Sequence, residues 1–260
     1  MDQEEQSSRI GVLGSEMPHD HQGKPFYNSL PTKTSFRLIK LHATAMKTIN
    51  STSESLNSAI LTTLQMYDLE KAPPFKALSY SWGPPYRDGA QTDVESTPEF
   101  DAEITCNGTT LAVTRNVYNA LIAVREKGLI GYWWIDAICI NQDDLDERSG
   151  QVLMMGDIYA LASLVVAWLG PTREGVEDIA WTCREFVSAV ENFQYDAEGV
   201  PVCGYPHQLQ DSFWASLGLE PPLPRLLRAA KFYDSCRWFS RAWVIQEALL
   251  AQKVILLCGL

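Results

Sequence analysis

A tryptophan and a glutamate four residues apart are the side chains of this sequence best suited to chemistry. Trp243 and Glu247 lie in the run SRAWVIQEALL at residues 240–250. The pattern predicts a helix capped by Ser240, with the indole and the carboxylate on one face. The helix is apolar over most of its surface, so burying a carboxylate there is costly unless it has a partner or a task. Glu247 is therefore either a catalytic candidate or a structural partner of an arginine such as Arg241.

The composition limits the kinds of partner that the chain can have. It has 260 residues, 46% of them hydrophobic, and a formal net charge of −11. This acidic balance argues against general nucleic-acid binding, which needs basic patches, but leaves room for a nucleotide in a local pocket. No run approaches the roughly 18 apolar residues that a membrane span requires. The polar start lacks the apolar core of a signal peptide, so we expect a cytoplasmic protein without membrane partners.

The cysteines and histidines give no sign of a metal centre. The six cysteines include no CxxC pair, and the four histidines have no ligand spacing, so no metal site is expected. Cys139 and Cys258 lie in apolar runs typical of buried strands. Buried free thiols in a reducing compartment fit this usage.

Alternating strand and helix patterns predict an α/β fold with a doubly wound parallel sheet. Residues 1–34 are polar and are interpreted as a flexible tail, and residues 35–260 as one domain. Phe36–Ala43 and Ala59–Leu69 predict an N-terminal β extension. The predicted core strands are Phe75–Gly83, Tyr132–Ile140, Leu164–Leu169 and Lys253–Cys258, and the predicted helices between them are Thr114–Lys127, residues 144–162 and Ser240–Leu250.

Two segments interrupt this alternation. Residues from about 86 to 113 contain Asn107-Gly108 between β-prone residues, which predicts a hairpin. Residues from about 171 to 237 form a long insertion, with helical patterns at Val176–Phe193 and Arg225–Phe232 and an irregular stretch between them.

Three blocks of sequence together resemble one known family. They are ALSYSWG at residues 77–83, the run from WIDAICINQ to VVAWLG at residues 134–170, and RWFSRAWVIQE at residues 237–247. This combination resembles the fungal heterokaryon-incompatibility (HET) domain. The resemblance implies a role in non-self recognition between fungal cells and in the cell death that follows, with an upstream sensor protein as a candidate partner.

The HET family is in turn similar, more distantly, to Toll/interleukin-1 receptor (TIR) domains, which have a flavodoxin-like sheet. Ser240, Trp243 and Glu247 match the TIR motif of a serine, a tryptophan and a glutamate four residues later, although Ser240 is one residue farther away. In TIR domains that cleave NAD, this glutamate is catalytic. The resemblance therefore implies Glu247 as the catalytic residue of an NAD glycohydrolase, with NAD as substrate and no bound cofactor.

In parallel α/β sheets, ligands bind outside the carboxyl ends of the strands. The side chains expected at that edge are Ser81, Trp82, Gly83, Asp136, Asn141 and Gln142, with Trp243 nearby. Most of these residues also have a structural explanation. Trp82 and Trp243 could pack in the core, and Asn141 and Gln142 could bond the backbone of a turn. Asp136 could bond a backbone amide or pair with Arg148. Arg115 and Arg241 are candidate phosphate partners.

The competing hypothesis is a non-catalytic signalling module that associates with itself. The two hypotheses predict different surroundings for Glu247. A free pocket beside the carboxylate favours the enzyme, whereas a carboxylate fully engaged by an arginine or by backbone favours the module. In TIR-like proteins the site is also completed on assembly, so the two roles are compatible.

Overall fold

The computed structural model describes residues 26–43, 59–87, 99–188, 210–216 and 218–259. Most of the predicted tail lies outside these ranges. Phe26 is buried, and the Tyr27 hydroxyl donates a hydrogen bond to the carbonyl oxygen of Ile138 at 3.0 Å. The predicted tail of residues 1–34 is therefore too long, because the chain already belongs to the core at residue 26.

The described strands and helices follow one another in an α/β order. The strands are β1 Ser35–Leu41, β2 Leu61–Asp68, β3 Lys76–Ser79, β4 Ala102–Cys106, β5 Thr109–Val113, β6 Gly131–Trp134, β7 Leu164–Gly170 and β8 Val254–Cys258. The helices are α1 Arg115–Glu126, α2 Asp136–Cys139, α3 Leu145–Leu161, α4 Val176–Trp181, α5 Asp211–Ser216, α6 Pro222–Ser235 and α7 Val244–Leu249. None of these helices is long and apolar enough to cross a membrane.

The described strands form one mixed sheet in the order β5-β4-β2-β1-β6-β3-β7-β8. The four strands β6, β3, β7 and β8 are parallel to one another. Numbered along the chain, these four lie in the order 2-1-3-4. The prediction of a parallel sheet thus holds for these four strands, whereas the whole sheet is mixed, because β1 pairs antiparallel with both β2 and β6.

The N-terminal strands are an integral part of the sheet. Arg37 on β1 is buried and makes two hydrogen bonds to the carboxylate of Glu147 on α3, at 2.6 and 2.9 Å. The Glu147 carboxylate also accepts the backbone N–H of Asn141 at 2.7 Å. This ion pair ties the β extension to the helix that follows β6.

The predicted hairpin at Asn107-Gly108 is confirmed. Both residues have positive φ angles, 52° and 79°, which a two-residue turn between the strands of a β-hairpin requires. The hairpin of β4 and β5 adds to the edge of the sheet, where β4 runs parallel to β2. The predicted cap of α1 is also confirmed, since the Thr114 hydroxyl accepts the N–H of Val117 at 3.3 Å.

The strand predicted at Tyr132–Ile140 is too long. β6 ends at Trp134, and Asp136–Cys139 forms the short helix α2. Asp136 thus begins a helix instead of interrupting a strand. A continuous apolar run fits a buried strand and a buried helical turn equally well, so the pattern alone does not locate this boundary.

The insertion between β7 and β8 is mostly helical where the structure describes it, and residues 189–209 and 217 lie outside those ranges. α4 continues through a π-helical turn at Thr182–Phe186, and α6 packs against α4. Asp178 on α4 accepts hydrogen bonds at 2.8 Å from both Arg225 and Arg228 on α6. These charge-assisted bonds fix the two helices to each other.

The start of α4 gives a test of this packing. Gly175 has a φ of 93°, and a Cβ atom there would lie 2.6 Å from the carbonyl oxygen of Arg228. We expect Gly175→Ala to lower the free energy of unfolding by about 1–3 kcal/mol, through backbone strain and the clash with α6.

Gly150 in α3 is the matched control, because nothing lies within 4 Å of the position of its Cβ. Gly150→Ala should raise stability by about 0.5–1 kcal/mol, as is usual inside a helix. Urea denaturation of both variants measures the difference, and equal stabilities would contradict the described contact between α4 and α6.

Candidate functional site

The helix that carries Glu247 is shorter than predicted. α7 spans Val244–Leu249 and follows a 3₁₀ helix at Arg237–Ser240. The prediction that Ser240 caps this helix is wrong. Its hydroxyl donates to the carbonyl oxygen of Arg237 at 2.9 Å and accepts from Arg87 at 2.8 Å.

Glu247 is the buried residue of α7, with only 1% of its surface exposed. Nη2 of Arg241 donates to Oε1 at 2.9 Å, and Nη1 donates to Oε2 at 3.2 Å. The hydroxyl of Ser79, at the end of β3, donates to the same Oε2. Both carboxylate oxygens are therefore bonded, and the fork of the guanidinium faces the carboxylate in the geometry of strong charged pairs.

Ser79 connects this ion pair to a buried tryptophan, Trp238. The indole Nε1 of Trp238 donates to the Ser79 hydroxyl oxygen at 2.7 Å, while that hydroxyl donates to Glu247. Trp238 lies in the 3₁₀ helix and is almost fully buried. Ser79 and Trp238 are not among the site residues predicted from the sequence. The contacts of both residues join positions that are far apart in the chain, so no local spacing indicates them.

Asp136 joins the carboxyl ends of β6 and β3, as the sheet order leads us to expect. Its Oδ1 accepts from the Tyr80 hydroxyl at 2.8 Å, and its Oδ2 accepts from the Trp82 indole at 2.7 Å. The N–H of Ala137 also donates to Oδ1, at 2.7 Å. Burial and the neighbouring Asp136 carboxylate raise the pKa of Tyr80 well above its ordinary value. Tyr80 therefore remains a hydrogen-bond donor at neutral pH.

Arg241 is the cation of this cluster. Burial opposes its charge, but Glu247 and, in addition, Asp136 hold the pKa of Arg241 above its ordinary value. Burial together with the charges of Glu247 and Asp136 raises the pKa of Tyr159 well above its usual range. Two carboxylates thus act on one guanidinium, and the tyrosines between them stay neutral.

Asn116, near the start of α1, organises the end of β3. Its Nδ2 donates to the carbonyl oxygen of Ser81 at 2.7 Å and approaches that of Gly83 at 3.4 Å. Its Oδ1 accepts from the Trp168 indole on β7 at 2.8 Å. The Ser81 hydroxyl is buried and has no hydrogen-bond partner among the described residues. Ser81 and Gly83 therefore lie at the predicted edge, but their backbone is occupied by Asn116.

The remaining candidates have mostly structural contacts. Asn141 accepts the N–H of Asp143 at 3.3 Å, and Gln142 donates to the carbonyl oxygen of Asp136 at 2.9 Å, so both serve the turn after α2. Arg115 pairs with Asp101 at an exposed position. Trp243 is half-exposed and stands at the N-cap position of α7, where its side chain makes no capping hydrogen bond, so it is not a core residue.

The described surface includes two hollows whose position can be compared with that of Glu247. One, of about 620 Å³, is lined by acidic residues of the turn before α3, Asp143, Asp144 and Asp146, together with Asn141 and Leu145. The other, of about 500 Å³, lies on the outer side of α7. Glu247 lines neither of them. Within the described ranges, no group of three or more His, Cys, Asp or Glu side chains is placed to hold a metal ion.

The ion pair gives a direct test of these contacts. We expect Arg241→Ala to lower the free energy of unfolding by about 3–5 kcal/mol, because it leaves Glu247 buried and without its cation. Arg115→Ala is the control: it removes an exposed pair, which should cost less than about 1 kcal/mol.

The double variant Arg241→Met with Glu247→Gln separates the pair from the packing around it. It should be more stable than Arg241→Ala alone, since no unpaired charge remains in the interior. Urea denaturation of all four proteins measures these differences. Equal losses of stability for Arg115→Ala and Arg241→Ala would contradict the described geometry.

Comparisons with known proteins agree with the resemblance of the three blocks. Residues 75–247 match the profile of the heterokaryon incompatibility protein (HET) family. The chain is 28% identical over 243 residues to heterokaryon incompatibility protein 6, OR allele, of Neurospora crassa, a match that covers 87% of this chain. The chain spans about a third of the length of that relative (33%). No solved structure gives a significant match. From the extent of the family match, the chain belongs to the heterokaryon incompatibility (HET) family.

Proposed function

We propose that this domain takes part in heterokaryon incompatibility and in the fungal cell death linked to it, as a TIR-like signalling module that associates with itself. Membership of the HET family supports the first part of the proposal. The match to a Neurospora incompatibility protein supports it as well.

The arrangement of the parallel strands supports the TIR-like part of the proposal. The order 2-1-3-4 of β6, β3, β7 and β8 is the order of the first four strands in flavodoxin-like sheets. Glu247 lies on the helix just before the fourth of these strands, as the TIR motif leads us to expect. The antiparallel strands β1 and β2 are an addition to that pattern.

The environment of Glu247 is the observation that favours a module over an enzyme. The carboxylate is buried, and both of its oxygens are bonded by Arg241 and Ser79. A catalytic carboxylate has to come within hydrogen-bond distance of the reacting group. In the described conformation a ribose has no access to Glu247, so we assign it a structural role.

NAD cleavage is the second candidate, and the position of Arg241 favours it. About 21% of the Arg241 side chain is exposed, whereas Glu247 lies beneath it. Movement of this one guanidinium would uncover a carboxylate at the carboxyl edge of a parallel sheet, which is where ligands bind in such folds. Glu247 would then stabilise the positive charge that develops on the ribose, while nicotinamide leaves as a neutral molecule.

The nucleotide contacts of that second candidate would come from the strand ends. Trp82 would stack on a base and Gly83 would let the backbone approach a phosphate. Ser81, Asp136, Asn141, Gln142 and Trp243 complete this proposed binding set. Several of these groups would first have to give up the contacts described above.

Incubation of the concentrated protein with NAD separates the two candidates. We expect no release of nicotinamide from the wild-type protein or from Glu247→Gln, because the carboxylate is engaged. Glu126→Gln, at an exposed position on α1, is the matched control for the change of charge. Circular dichroism shows whether each variant is folded.

Nicotinamide release by the wild-type and Glu126→Gln proteins, with a loss of about a hundredfold or more in Glu247→Gln, would overturn the module and establish the enzyme. Expression in fungal cells tests the other half of the proposal. The wild-type domain should lower viability, and Glu247→Gln should do so equally if it folds.

A further inference from the structure

The helix α7 is amphipathic in the reverse of the usual sense. Its charged residue, Glu247, points inward, whereas Ile245 and Leu249 are 65% and 78% exposed. Trp243 and Leu250 are also about half-exposed. Surface helices normally bury the apolar stripe and expose the charges. We infer that this outer face of α7 is the surface through which a second copy of the chain binds.

The apolar face extends beyond α7 onto α3. Gln246 and Leu250 pack against α3 at Gly156, where a Cβ atom would lie 2.6 Å from Gln246 Nε2. One turn earlier on α3, the side chain of Leu153 is almost fully exposed. A helix of six residues alone is too small for a stable interface, which needs about 800 Å² from each partner. The neighbouring Leu153 supplies part of the additional apolar area.

The shape of this face fits a second copy of itself. The face carries protruding side chains, Ile245 and Leu249, and also the hollow of about 500 Å³. The hollow is lined by Ala242, Trp243, Ile245, Gln246, Leu249 and Leu250. An interface around a twofold axis uses the same patch on both partners. The patch must therefore contain both protruding side chains and a hollow that can receive those of the partner. This face meets that condition.

The distribution of charge favours a second copy over other partners. Each chain carries a net charge of −11, so two copies repel each other over most of their surfaces. Between Ala242 and Gln252 the single charged residue is Glu247, which is buried and paired. A basic protein would be drawn to acidic regions such as the turn at Asp143–Asp146 instead. Membrane-surface helices carry lysine or arginine on their polar face, and α7 has neither.

Sedimentation equilibrium over a series of protein concentrations tests this surface. We expect the wild-type protein to form a dimer, and Leu249→Arg to weaken dimerisation by about tenfold or more, because it places a charge in the apolar contact. Leu153→Arg should also weaken it, and independently tests the α3 side of the surface. Leu227→Arg is the matched control, since Leu227 on α6 is 55% exposed and lies outside this face.

The dependence of dimerisation on salt concentration provides a second test. Dimerisation of two acidic chains through a face that carries no exposed charge along α7 should strengthen as salt screens their repulsion. Circular dichroism and thermal unfolding confirm that the variants remain folded. A wild-type protein that stays monomeric over the whole range, equal dimerisation by Leu249→Arg and Leu227→Arg, or dimers that weaken with salt would each overturn the inference.

The proposed surface on α7 and α3 rests on the self-association part of the proposed function. Different experimental results would overturn the surface and the proposed function. Cleavage of NAD that depends on Glu247 would overturn the non-catalytic role and leave the sedimentation result unchanged. Dimers that Leu249→Arg and Leu153→Arg do not affect would overturn the surface and leave self-association standing.

Discussion

The hydrogen-bonded ion pair between Arg241 and Glu247 anchors α7 to the parallel half of the sheet. Glu247 has a hydrogen bond from Ser79 on the first parallel strand, and Trp238 bonds to the same hydroxyl. One carboxylate therefore fixes α7, the 3₁₀ helix before it and the end of β3 in a single arrangement. Burying a charge is unfavourable unless its partners are in place, so these contacts stabilise one another. The apolar side of α7 is left outside as a consequence.

The parts of the fold that depend on local chemistry could be predicted from the sequence. Asn107-Gly108 favours positive φ, Thr114 caps α1, and Asp144 caps α3, and each of these positions is found in the structure. Elements whose limits depend on tertiary contacts were predicted less well. β6 ends at Trp134 although the apolar run continues, and the pairing of β1 with β6 makes the sheet mixed. Periodicity contains no information about which distant strand becomes a neighbour.

In the candidate site, too, the features that depend on local sequence could be predicted and those that depend on tertiary contacts could not. The apolar surroundings of Glu247 correctly indicated an unusual carboxylate, and an arginine partner at Arg241 was one of the two alternatives. The contacts from Ser79 and the link to Trp238 join residues that are far apart in the chain, and no local spacing reveals them. Trp243 was expected beside the carboxylate by its spacing. Its side chain is half-exposed instead, although the Trp243 carbonyl oxygen accepts the backbone N–H of Glu247 at 3.0 Å.

The antiparallel pairing of β1 with β6 sets a limit on how small a fragment of this protein can be. The family match runs from residue 75 to residue 247, whereas β1 and β2 lie before it and β8 after it. A fragment cut at those borders loses the partners of β6 and β7, and both strands would then present bare edges to solvent. It also loses Arg37, the cation that pairs with the Glu147 carboxylate. Sequence similarity alone thus marks out a piece that is unsuited to soluble expression.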